Sequence, residues 1–267
     1  MNLQEATEAL AAAGIDAPQR EARILERHAK DAATFAEYVK RRATREPVAY
    51  ILGRKEFWSL EFEVSPATLI PRPDSETLVE TALKHFKHHP PETILDLGTG
   101  SGCLLIALLS EWKEAAGLGI DISPEAIAVA RRNAARHLKG PRAMFRPNDW
   151  THDLRQRFDL VVSNPPYITA QELLSLDRDV IAFEPRGALD GGEDGLEPLQ
   201  RIASGLKDVM KPGALAMIEL GIDQAVPAGR ILVNAGLEIV EIAKDLGGRD
   251  RVIVARLPHM RGPAGLA

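Results

Sequence analysis

The chain holds one cysteine among 267 residues, has few aromatic side chains, and contains no long apolar run. Each scarcity excludes something. Cys103 cannot form an internal disulfide, and no metal-ligand spacing surrounds it, which argues against a disulfide-stapled secreted scaffold and for a reducing compartment. No stretch approaches the ~20 consecutive apolar residues of a membrane-spanning helix. The opening MNLQEATEALAAAG is amphipathic and acidic and lacks a basic segment ahead of an apolar one. A cytoplasmic protein with no membrane partner is the expectation. Positive charge is scarce too. The formal net charge of −5 counts against a dedicated duplex-DNA binder, whose affinity comes largely from neutralising phosphates. Basic and acidic side chains balance over residues 1–73, so the deficit lies in the remainder. Lys40, Arg41 and Arg42 with Arg45, Arg54 and Lys55 form either a local basic face or a solvated helix end. His85, His88 and His89 lie close together but have no carboxylate or cysteine at ligand spacing, and no metal site is expected.

What is present is an ordinary globular composition, 45% hydrophobic and 27% charged, arranged in two parts of different character. Residues 2 to about 46 carry apolar positions at helical spacing: Leu3, Ala6 and Leu10, then Ile24 and Leu25, then Phe35, Tyr38 and Val39. Gly14 marks a stop and Pro18 a new start. Residues 56–70 alternate apolar and polar side chains, a strand or hairpin signal. After the stiff Pro71-Arg72-Pro73, a helix begins at Asp74-Ser75-Glu76. The boundary is placed there: 1–73 a helical domain ending in a strand or hairpin linker, 74–267 the second domain.

From residue 92 strands and helices alternate. Strands are expected at 93–97, 118–122, 142–145, 159–163 and 214–220, with helices at 103–111 and 124–137. That alternation implies a parallel sheet covered by helices. The last two strands, 237–242 and 251–256, are separated by too few residues for a crossover helix, so they must pair antiparallel. The tail from His259 to Ala267 is rich in Gly and Pro and is expected to be loose.

Two loops carry the chemistry. Asp96-Leu97-Gly98-Thr99-Gly100-Ser101-Gly102 leaves one strand and enters a helix, and its glycines let a ligand approach the backbone. Nicotinamide and flavin proteins use similar turns, so the loop alone does not choose a cofactor. Asp121, at the end of the next strand, suits ribose hydroxyls in either class. Asp96 tips the choice, because its charge would oppose a pyrophosphate and tolerate a cationic sulfonium. Asn148-Asp149-Trp150 follows the third strand, where a carboxylate and a ring can frame an adenine. S-adenosylmethionine is the expected cofactor and S-adenosylhomocysteine the product.

The second loop, Asn164-Pro165-Pro166-Tyr167, sits at the carboxyl end of a parallel strand, where such sheets bind ligands. The prolines stiffen it. The Asn164 amide oxygen and the Pro165 carbonyl can accept both hydrogens of one NH2 group, while Tyr167 offers a ring to its flat face. Accepting both hydrogens aims the nitrogen lone pair and stabilises charge developing on nitrogen. The acceptor is therefore a planar, sp2-bound nitrogen.

With these pieces in place the chain resembles the HemK family of protein-(glutamine-N5) methyltransferases acting on peptide chain release factors. The resemblance runs through REPVAYILG (45–53), EFW (56–58), IPRPDSET (70–77), DLGTGSG (96–102), NDW (148–150), SNPPYI (163–168), EPRGALDGGEDGL (184–196) and GGRDR (247–251). It implies a class I S-adenosylmethionine-dependent methyltransferase: an α/β, Rossmann-like, seven-stranded mixed sheet with a terminal antiparallel hairpin, preceded by a small helical domain that meets the release factor. It implies cofactor contacts at Gly98, Thr99, Gly100, Ser101, Gly102, Asp121, Trp150 and Asn164. The glutamine of a Gly-Gly-Gln loop would sit at Asn164, Pro165, Pro166 and Tyr167. Arg72 and Glu76 would organise the site or support the scaffold, and Glu184-Pro185 would form a wall. Residues 169–183 are individual to this chain and either touch substrate or cover the sheet. A monomer with no nucleic-acid partner is expected. The rival is an adenine-N6 or other exocyclic-amine methyltransferase, whose flipped base would present the same NH2 group. A ribosomal-protein glutamine or a non-catalytic cofactor-binding module are the further alternatives.

Overall fold

The computed structural model of the protein describes residues 1–259, so the expectation of a loose tail falls outside it apart from His259. Helices α1 (Leu3–Ala12), α2 (Pro18–His28), α3 (Ala32–Ala43) and the short α4 (Val48–Leu52) open the chain. Asn2 caps α1 by accepting the Glu5 N–H while Glu5 reaches back, a reciprocal cap on two orphan donors. Ala6, Leu10, Leu25, Phe35, Val39 and Ile51 form one small core among these helices.

The strand signal that follows resolves into a hairpin shorter than the 56–70 pattern: β1 (Arg54–Phe57) and β2 (Leu60–Glu63), antiparallel. Its two-residue turn, Trp58-Ser59, has both residues at positive φ, the mirror-image turn that matches strand twist. Residues beyond Glu63 form a loop up to a turn at Pro73–Ser75.

Next come α5 (Glu76–His85), β3 (Thr93–Leu97), α6 (Cys103–Glu111), β4 (Ala116–Asp121), α7 (Pro124–His137), β5 (Ala143–Pro147) and β6 (Phe158–Ser163). Short helices α8 (Ala170–Leu173) and α9 (Arg178–Phe183) precede α10 (Glu197–Val209), β7 (Met210–Glu219), α11 (Ala225–Asn234), β8 (Glu238–Lys244) and β9 (Asp250–Arg256). The sheet order is β5-β4-β3-β6-β7-β9-β8. All neighbours from β5 to β7 are parallel, and β9 lies antiparallel between β7 and β8. The antiparallel terminal pair is as expected; that β9 slots inside β8 is a matter of tertiary packing. β4 and β5 run out on one side of β3 and β6 on the other, so the chain reverses at β3, where open sheets of this kind hold ligands.

Alternate residues of the central strands feed two cores. Ile94, Leu160, Val162 and Met217 face α5, α6 and α7; Leu95, Leu97, Val161 and Ile218 face α10 and α11. Phe57 and Phe62 of the hairpin belong to the first of these cores, not to the helical one. Asn133 of α7 fastens the hairpin by accepting from Glu63 N–H (2.7 Å) and donating to Glu63 C=O (3.0 Å).

Candidate active site

A cavity of about 1020 Å³ opens at the carboxyl ends of β3, β4 and β6. Of the residues singled out in the sequence, Gly98, Thr99, Gly100, Ser101, Asp121, Trp150, Asn164 and Pro166 line it; Gly102, Pro165 and Tyr167 do not. Ile122, 74% exposed, lies beyond the end of β4 and offers the cavity an apolar face.

Residues 98–102 turn from β3 into α6, and their glycines adopt positive φ. A Cβ at Gly98 would meet the Trp150 ring at 3.3 Å, so the missing side chain is what lets the indole lie against the loop. Trp150 itself has φ 46°, and Asn148 holds that turn by donating to the carbonyls of Trp150 (3.0 Å) and His152 (2.8 Å). Asp149 is drawn aside to Arg201 at 2.5 Å. Asp121 accepts from the Gly100 N–H and the Ser123 N–H, each at 2.9 Å, so it braces the loop as well as facing the cavity. Burial raises its pKa against those donors.

Asp96 departs from its expected place. It is fully buried beneath the loop and absent from the cavity wall, with one oxygen accepting from the Thr99 hydroxyl at 2.6 Å and the other unpartnered. Desolvation pushes it up to about 7. Cys103 is half-buried and lines the cavity, and desolvation pushes its thiol up to about 12.

The loop Asn164–Tyr167 is clamped from behind. Asn164 donates its Nδ2 to the Ser75 hydroxyl at 3.1 Å, leaving Oδ1 free of protein donors among the described residues; the Pro165 carbonyl is likewise free. The Tyr167 ring tucks under the loop, with its hydroxyl donating to the buried Glu219 at 3.4 Å. Gln224 donates to the carbonyls of Tyr167 (3.0 Å) and Gly195 (3.2 Å) and accepts from the Gly221 N–H (2.9 Å). A Cβ at Gly195 would strike the Tyr167 carbonyl at 2.5 Å, so the glycine run after Asp190 is there for close approach to this loop.

Arg72 lines the cavity and pairs with the buried Glu184, which also accepts from the Ile70 N–H at 3.1 Å. Glu76 instead accepts from the Trp58 N–H and belongs to the hairpin. In the stretch read as a basic face or a solvated helix end, Lys40 stays exposed in the last turn of α3 while the arginines are spent on acids. Arg41 pairs with Glu46, and Arg42, nearly buried, pairs with Glu21 and with Asp179 (2.7 Å), which also holds Arg45 (2.6 Å). Sequence reasoning misses Ser75, Glu219 and Gln224 as parts of the site; Ser75 stands there only as a helix start and as one residue of the IPRPDSET segment. Among the described residues no cluster of His, Cys, Asp or Glu can hold a metal, and no helix is long and apolar enough to cross a membrane.

Comparisons with known proteins bear on the family and the fold. The model of the Methyltransferase small domain matches residues 74–186 and that of the PrmC N-terminal domain residues 26–53. A release factor glutamine methyltransferase of Caulobacter vibrioides is 42% identical, covering 94% of each chain. One of Rhodospirillum rubrum is 41% identical over 92% of this chain and 81% of its own. Among solved structures, a methyltransferase from Pyrococcus furiosus superposes with TM-score 0.57 at 18% identity, over 76% of this chain and 92% of that one. The hMettl16 catalytic domain in complex with MAT2A 3'UTR hairpin 6 gives TM-score 0.62 at 16% identity, over 84% and 83%. These two likenesses are of fold alone.

Proposed function

The chain belongs to the release factor glutamine methyltransferases, and we propose that it moves a methyl group from S-adenosylmethionine to the side-chain amide nitrogen of the glutamine in a release factor's Gly-Gly-Gln loop, using Asn164-Pro165-Pro166-Tyr167 to hold that amide. The observation that carries the site assignment is the Asn164 carboxamide, whose nitrogen is spent on Ser75 and whose oxygen remains an acceptor on the wall of the cavity that Gly98–Ser101 also lines.

S-adenosylmethionine supplies an electrophilic methyl group on a sulfonium. The chain's part is to seat it and to aim the nucleophile. Gly98–Ser101, with Asp121, Trp150 and Asn164, form the seat in this reading, while Gly102 faces Ile106, Ala130 and Phe145 behind it. Asp121 would accept from the ribose hydroxyls, and Trp150 and Ile122 would flank the adenine. Gly100 suits this role, since a Cβ there would project into open space. Asn164 Oδ1 and the Pro165 carbonyl would accept one amide hydrogen each, orienting the amide for attack and stabilising the charge nitrogen acquires. One hydrogen then leaves as a proton to solvent, and S-adenosylhomocysteine departs as the leaving group. Pro166 lines the approach. Tyr167, anchored to Glu219, supports the loop from below and offers its ring edge.

We place this work in the cytoplasm, carried out by a monomer on protein rather than nucleic acid; the lone cysteine and the net charge of −5 support that placement. Residues 1–73 are assigned to recognition of the release factor and 74–267 to methyl transfer. Incubation with methyl-labelled cofactor and a purified release factor, followed by peptide mass spectrometry, should place one added methyl on the Gly-Gly-Gln glutamine. Asn164→Ala should cut that yield by roughly 100-fold or more. Label entering DNA or RNA, with none on the release factor, would sink the glutamine reading and promote the exocyclic-amine one.

A further inference from the structure

S-adenosylmethionine carries a positive sulfonium, a positive ammonium and a negative carboxylate. The cavity wall suits the first two. It is lined by five acids, Asp121, Glu125, Asp149, Asp190 and Glu197, against two cations, Arg72 and Arg201. A carboxylate leaving water for such a wall needs a cation or several N–H donors. Arg201 is already engaged, held at 2.5 Å by Asp149 beside the Trp150 that marks the adenine end. That leaves Arg72.

Arg72 stands among the groups that hold the loop Asn164–Tyr167. Ser75, just after it, takes the Asn164 amide. Its partner Glu184 leads into the stretch from Pro185 to Gly192, where Gly191 lies directly against the Tyr167 backbone. The guanidinium is presented to the cavity from a fixed base. Glu184, nearly wholly buried, takes Nη2 on one oxygen and the Ile70 N–H on the other at 3.1 Å. Nε and Nη1 have no protein acceptor among the described residues, and the side chain is 36% exposed. Those are unspent, charge-assisted donors. The methyl acceptor has no use for them: a guanidinium on its amide oxygen would draw electrons from the nitrogen that attacks.

We propose that Arg72, oriented by Glu184, holds the carboxylate of the methionyl tail of S-adenosylmethionine. The inference rests on the cofactor reading above and not on which acceptor takes the methyl group.

Calorimetry on the full chain tests it with two ligands that differ in this group alone, S-adenosylmethionine and its decarboxylated form. The wild type should bind the first more tightly by roughly 10- to 100-fold, the range of hydrogen bonds to a charged group. In Arg72→Ala that preference should fall to about one, with the decarboxylated compound bound no worse than before. Arg72→Lys, which keeps the charge and loses the planar fork, should retain part of it. Because Arg72→Ala strips a buried carboxylate of its cation, a second variant combines Arg72→Met with Glu184→Gln. It keeps an acceptor for the Ile70 N–H and should lose the preference in the same way. A preference that survives in these variants would place the carboxylate on N–H groups of the Gly98–Ser101 loop instead. Affinity lost equally for both ligands would make Arg72 a wall residue only. Either result overturns the proposal. A wild type that binds neither ligand would sink the cofactor reading along with it, whereas the expected preference without methyl on a release factor would sink the glutamine reading alone.

Discussion

Gln224 spends its whole side-chain amide on the acceptor loop: both hydrogens go to the carbonyls of Tyr167 and Gly195, and its oxygen takes the Gly221 N–H. Replacing it with glutamate keeps the shape and reverses one polarity, setting a carboxylate oxygen against two carbonyls. Leaving such buried groups opposed costs on the order of 1–3 kcal/mol. Gln224→Glu should therefore reduce kcat about tenfold while leaving the affinity for S-adenosylmethionine, measured by calorimetry, near the wild-type value. An unchanged kcat in a folded variant would show that the loop does not need this clamp. The contrast with Asn164 and Asp121 marks what a sequence can reveal about a site. Those residues lie in short segments whose neighbours announce them: glycines after a strand, or two prolines before a tyrosine. Gln224 sits 57 residues from Tyr167, and Ser75 sits 89 residues from Asn164. Nothing local distinguishes them, because their role exists only once β6, β7 and the Pro73–Ser75 turn converge.

Among the elements, the strands were legible because β3, β6 and β7 are apolar runs buried on both faces, and α7 because Pro124 opens it and Ser123 caps it by accepting the Ala126 N–H. The segment from Thr169 to Phe183 was not. Its helices α8 and α9 bury no residue fully, so no periodic pattern betrays them. What holds α9 is Asp179, gripped by Arg42 and Arg45, and the Arg45 contact spans 134 residues. From the sequence, those arginines could be read only as a face or a helix end. Asp179→Ala removes the acid shared by both arginines and leaves Arg42 to Glu21 alone. Partly buried charges left without a partner are costly, and the segment has few apolar contacts to compensate. Limited proteolysis should then cut within residues 170–183 several times faster than in the wild type, with products read by mass spectrometry. Equal rates would show that α9 is held by something other than this clamp. The proposed division at residue 73 concerns recognition rather than folding, since Phe57 and Phe62 lie ahead of it and yet pack with Leu78 and Leu105.

At the scale of the whole molecule, buried acids should make stability fall as pH rises toward neutrality. Asp96 and Glu219 are both carried up to about 7 by burial, and Asp121 is raised as well. Each is an acid that keeps its proton in the folded chain over a range where the unfolded chain has released it. Folding stability from these groups is therefore highest near pH 4 and declines as pH rises toward 7. Other carboxylates act in the opposite sense. Glu63, held down by Arg132, and Glu241, held down by Lys84, add stability above about pH 4 and lose it below. The sum is a stability maximum on the mildly acidic side. Asp96→Asn isolates one of these contributions. It retains an acceptor for the Thr99 hydroxyl and removes a buried charge whose second oxygen has no partner. Thermal melts should show the wild type losing at least about 3 °C between pH 5.5 and 8, with the loss clearly smaller in Asp96→Asn. The same slope in both proteins would mean that Asp96 does not titrate in this range, and that the charge beneath the cofactor loop is carried at no cost to the fold.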